Sequence, residues 1–155
     1  MGYIPPGARW YLADIVLEHT IEDEPRNVVH INTVLVRANS PERAYAHALQ
    51  LGQEAEHKYQ NTDGKKVETK FRGLSDLNVI CDKLRSGAEL IYQERTGIAE
   101  DEVTRLISTK EELGVFAERV KPTRGKPNYM PGSVMDMLKA EGFSEDDIYE
   151  QEHTP

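Results

Sequence analysis

Five histidines, one cysteine and 27 acidic side chains carry whatever reactive chemistry this 155-residue chain has. His19, His30, His47, His57 and His153 include no pair at the i, i+4 spacing of a helical metal clip and no His-Glu-x-x-His motif. Glu54 and His57 stand three apart on the outer side of an expected helix and could give two metal ligands, but ordinary surface polarity explains them better. Cys81 follows an apolar run; a reactive thiolate needs a cationic neighbour, which only Lys83 offers, so a small buried hydrophobe is the stronger reading. Gly-x-Ser-x-Gly and Gly-x-Gly-x-x-Gly are absent, and Thr123-Arg124-Gly125-Lys126 lacks the first Gly and the final Ser or Thr of a phosphate loop. No catalytic residue, metal or cofactor is therefore expected, and an enzyme is the weakest of three functional readings.

Recognition is the chemistry left. Asp14 and Glu18 share one side of a predicted first strand, and Lys70 and Arg72 the outward side of a predicted third. With His30 and Asn32, they are expected to form one polar field bordered by Trp10 and Leu12. Aromatic and Arg side chains beside polar groups are typical of contact surfaces. The plain alternative is a solvated sheet face with weak ion pairs, and His30 by itself reads more readily as a satisfied structural histidine. A third option has residues 99–119 folding over this face.

The elements that must hold these residues follow from periodicity. Residues 10–22 alternate, with Tyr11, Ala13, Ile15 and Leu17 on one side and Trp10, Leu12, Asp14, Val16 and Glu18 on the other, a strand buried on one face. Residues 22–27 supply a turn, and 28–38 a second strand that makes a hairpin with the first. Ser40-Pro41-Glu42 combines a capping hydroxyl, a proline suited to the first turn and an acid at the positive end of the dipole. It starts a helix expected to reach Tyr59. Ala44, Ala48 and Gly52, four apart, leave one ridge nearly free of side chain, so the helix can approach a sheet closely. Residues 65–71 alternate again and resume through Ile80, with Gly73 a bulge or close-approach site. Ser86-Gly87 offers a turn into a fourth strand at 89–93. The expected fold is α+β: a four-stranded, mostly antiparallel sheet in the order strand, strand, helix, strand, strand, with the helix on one face.

Beyond Thr96 the pattern changes. Residues 101–107 and 109–119 predict two short helices, the second burying Leu113, Phe116 and Val120. The proline-rich stretch 120–131 reads as an extended tether, and 132–155 as an acidic helical tail holding seven acids against one Lys. The organisation is thus a core at 1–95, a helical extension at 96–119, the tether and the tail. The net charge of −8 argues against nucleic acid, whose phosphates are bound by clustered Lys and Arg. No apolar run approaches a membrane span and no leader pattern is visible; a lone cysteine excludes an internal disulfide. A cytoplasmic setting follows as the expectation.

Trp10-Tyr11-x-Ala13, Val34-Leu35-Val36 with Ala38 and Ser40, the Ala-rich helix ending near Leu51-Gly52, Phe71-x-Gly73-Leu74, and Gly87-Ala88-Glu89-Leu90 with Tyr92 occur in one order. Over residues 10–95 this resembles a bacterial domain-of-unknown-function family of small proteins. The resemblance implies a fold and a bacterial or phage origin, and no catalytic residues. The leading expectation is a non-enzymatic protein-binding module that engages a protein partner or a second copy through the sheet face and tail. An acidic antagonist, such as an immunity protein, is one form of it. The alternative is a small-ligand sensor with its pocket between the sheet and residues 99–119.

Overall fold

A computed structural model describes residues 2–117 and 125–149. The chain opens with a hairpin of β1 (Trp10–Ile21) and β2 (Val28–Arg37), continues through helix α1 (Pro41–Glu54), and returns as a short β3 (His57–Gln60) and a long β4 (Lys66–Val79). The four strands form one antiparallel sheet in the order β2-β1-β4-β3. It is an α+β fold, with α1 on one face.

Alternation in β1 sets that face. Tyr11, Ala13, Ile15, Leu17 and Ile21 are buried, and cross-strand pairing puts Val36 opposite Tyr11 and Val34 opposite Ala13. Ser40 caps α1 by accepting the Arg43 N–H, with Pro41 in the first turn. Ala44, Ala48 and Gly52 face the sheet and are buried. A Cβ on Gly52 would stand 2.4 Å from Phe71 Cε2, so the hydrogen at this position is what lets the ring lie under the helix.

The helix covers only part of the inner face. The C-terminal segment, with α3 (Gly132–Ala140) and α4 (Glu145–Ile148), is tied to the other end. Asn61 forms a β-bridge with Pro131 and donates through Nδ2 to the Asn128 carbonyl at 2.9 Å. The Tyr59 hydroxyl donates to the Tyr129 carbonyl, and Thr62 Oγ1 lies 2.7 Å from the Tyr149 hydroxyl. Met135 and Ile148 are the buried side chains of α3 and α4.

Several expectations are corrected. The long helix ends at Glu54, not Tyr59, because Gly52 weakens its last turn; Tyr59 belongs instead to β3. Residues 89–93 form no strand: Leu90, Ile91 and Tyr92 lack the polar alternates a half-buried strand needs, and all three are exposed. The helix expected at 101–107 is α2 (Glu100–Arg105). Of the one expected at 109–119, the described residues form only the 3-10 turn Lys110–Glu112, which stops before Gly114, with Leu113 and Phe116 exposed. Cys81 is exposed as well. Residues 118–119 of the expected second short helix, 120–124 of the expected tether, with Val120, and 150–155 of the tail, with His153, lie outside the described residues.

Candidate binding face and its surroundings

Asp14, Glu18, Lys70 and Arg72 come together on the outer face, away from α1. Asp14 sits opposite Thr33 on β2 and Glu18 opposite Lys70 on β4. Thr33 Oγ1 donates to Asp14 at 2.6 Å, and Asn27 Nδ2 donates to Glu18 at 2.6 Å. Register shifts between Asp14 and Ile15 and between Val16 and Leu17 offset β4, and Arg72 reaches Glu18 with Nη1 at 3.6 Å. Trp10 closes one end, half-buried, with the Arg37 guanidinium 5.8 Å from its ring centre. At that end Leu12 and Ile80 are buried.

His30 and Asn32 do not join this field. Continuous register places His30 opposite Leu17 and Asn32 opposite Ile15, on the inner face with the core. The even-numbered residues of β2 face inward, so the outward ones are Val29, Ile31, Thr33 and Leu35. The outer face therefore carries an apolar stripe where polar groups were expected: Val29, Ile31 and Leu35 are 51, 60 and 48% exposed.

This stripe lies on an edge strand. Ala38 donates its N–H to the Arg9 carbonyl at 3.0 Å, so even-numbered β2 residues point their backbone groups at β1. Val29, Ile31, Thr33 and Leu35 turn theirs outward. Edge strands are usually shielded by charge, proline, bulges or shortness. β3 is four residues long and includes Lys58. The free side of β4 carries Lys70, Arg72 and Asp76 with Gly73. β2 has ten residues, no charge before Arg37, no proline and no register shift.

On the inner face a second constellation forms that spacing alone did not bring together. His19 is buried, with Nδ1 2.8 Å from Thr69 Oγ1 and Nε2 3.3 Å from His30 Nδ1. The Tyr129 ring stacks on His19 at 5.6 Å and meets His30 edge-on at 5.2 Å. Burial, then the neighbouring His30 and His57, push His19 below the usual histidine range. Its readable signal was parity, since His19 continues the Tyr11–Leu17 face. Among the described residues no three His, Cys, Asp or Glu side chains could hold a metal ion.

Among the described residues, 99–117 give the sensor reading no wall. No residue of α2 or of the 3-10 turn is buried, and Leu106, Ile107, Val115 and Phe116 are at least half exposed. Among the described residues no helix is long and apolar enough to cross a membrane.

Fold and face together define an α+β domain whose sheet is covered on one side and open along one edge. The chain belongs to the family described as Domain of unknown function (DUF4288), whose model matches residues 10–92. Comparison with curated proteins and with solved structures returns no match.

Proposed function

We propose that this domain is a non-enzymatic protein-binding module that pairs through β2 with a second copy of itself. The resulting continuous sheet presents Asp14, Glu18, Lys70 and Arg72 to a protein partner. The observation that carries this reading is the unshielded β2 edge with its exposed Val29, Ile31 and Leu35.

The second copy is favoured because β2 can pair with itself about Asn32. Reading outward from Asn32, Ile31 meets Thr33, His30 meets Val34, Val29 meets Leu35 and Val28 meets Val36. In a two-fold antiparallel pair centred there, the outward backbone groups of Ile31 and Thr33, and of Val29 and Leu35, bond across the seam. No like charges meet, and the apolar stripes of both copies join on one face. Acidity alone supports an antagonist of a basic protein, and the geometry adds nothing to that form of the reading.

Sedimentation velocity over a concentration series tests the proposal. The wild-type chain should approach twice its 17.6 kDa mass. Ile31→Lys, at an exposed position that tolerates the change, should weaken self-association by tenfold or more, about 1.4 kcal/mol. A monomer at every concentration up to the millimolar range would remove the second copy from the account.

A further inference from the structure

Where β2 ends and α1 begins, two arginines and a histidine meet at one cleft. Arg9, Arg37, Arg43 and His47 line it together with Ala38 and Asn39, around a volume of about 470 Å³. Three separate elements deliver them. Arg9 is held beside the end of β2 by the Ala38 N–H bond to its carbonyl. Arg37, the last residue of β2, contributes its carbonyl, 3.4 Å from His47 Nδ1, while its guanidinium lies over Trp10 on the outer face. Arg43 is fixed in the first turn of α1 through its N–H bond to Ser40 Oγ, at 3.2 Å, and His47 follows one turn later on the same side.

Among the described residues, Arg9 and Arg43 have no ion-pair partner. No lining residue is acidic; Glu42, in the first turn of α1, does not line the cleft. The ion pairs of the described residues go to Arg26, Lys58, Lys70, Arg72, Arg105 and Lys139. Arg9, Arg37 and Arg43 take no part in them. Like charges gathered without counter-charge repel one another, which is notable in a chain with eight excess acids. Guanidinium groups are planar forks that bind phosphate oxygens in pairs, and His47 adds a ring nitrogen. The volume lies within the roughly 300–1,000 Å³ typical of small-molecule sites.

We propose that this cleft binds a phosphorylated small molecule, with Arg9, Arg43 and His47 holding its phosphate oxygens. The side chains that would bind, Arg9, Arg43 and His47, lie outside β2, so the site is separate from the pairing proposed above.

The experiment is a titration of the ¹⁵N-labelled full chain with inorganic pyrophosphate, beside sulfate and chloride at equal ionic strength. Saturable shifts should centre on Arg9, residues 38–43 and His47. Pyrophosphate should bind at least tenfold more tightly than sulfate. Arg43→Gln should raise the dissociation constant at least tenfold, Arg43→Lys should recover part of the loss, and Arg72→Gln on the outer face should leave it unchanged. The unliganded spectrum of each variant reports whether it is folded. Arg9→Gln gives a second probe if Arg43→Gln is not. Shifts that do not saturate, an equal response to sulfate and pyrophosphate, or a constant unmoved by both glutamine variants would each overturn the assignment.

Discussion

His19 and His30 meet on the inner face, Nε2 of the first 3.3 Å from Nδ1 of the second, so at most one of the facing nitrogens carries a proton. Thr69 from β4 engages the other nitrogen of His19, Tyr129 covers both rings, and His57 adds to the unfavourable field. His19 is thus held in its neutral form below its ordinary value. The unfolded chain, with an unperturbed histidine near 6.5, binds the proton more readily than the folded one. Stability is then full above that value and declines as pH falls through it.

Thermal unfolding between pH 8 and 5 checks this. The midpoint should fall with pH in the wild type and fall less steeply in His19→Gln, which keeps a hydrogen-bonding group toward Thr69. Equal slopes would show that other groups carry the dependence.

The helix seam makes a prediction opposite to helix propensity. Gly52→Ala should favour the isolated helix by about 1 kcal/mol, yet the new methyl meets the Phe71 ring. Overpacking of this kind costs about 1–3 kcal/mol, so net destabilisation of about 1 kcal/mol is expected in urea unfolding. Gly52→Ala with Phe71→Leu should relieve the clash, and a stabilised single variant would contradict the seam.

On the outer face, Asp14→Lys with Glu18→Lys leaves Arg72 without its counter-charge, while Lys70 keeps Glu68, and reverses the field a partner meets. Neither acid belongs to β2, so self-association should change by less than threefold in sedimentation. Capture of a protein partner on the immobilised domain should weaken and lose its salt dependence. A partner held equally well by the double variant would place its contact elsewhere.

Much of this architecture was legible in the sequence. The alternation of Tyr11 to Leu17 defined the inner face, and Ser40-Pro41 with Ala44, Ala48 and Gly52 gave the helix, its start and its packing side. The polar field was half legible. Asp14, Glu18, Lys70 and Arg72 fell on one face, but His30 and Asn32 were assigned to it because parity within β2 does not state which set faces the core. That depends on the hairpin register, fixed here by pairs such as Tyr11 with Val36. The same step would have exposed Val29, Ile31 and Leu35. β3 was missed because four residues directly after a helix show too little alternation to separate from the helical pattern. The cleft of Arg9, Arg43 and His47 joins residues distant in the chain, and only the fold brings them together.

The account rests on the open edge of β2, and amide hydrogen exchange reads that edge residue by residue. At concentrations where the dimer forms, the outward amides of Val29, Ile31, Thr33 and Leu35 should exchange as slowly as those of Val34 and Val36, which bond to β1. Dilution or Ile31→Lys should speed the outward set alone. Fast exchange of those four amides at every concentration, beside protected even-numbered neighbours, would contradict pairing through β2.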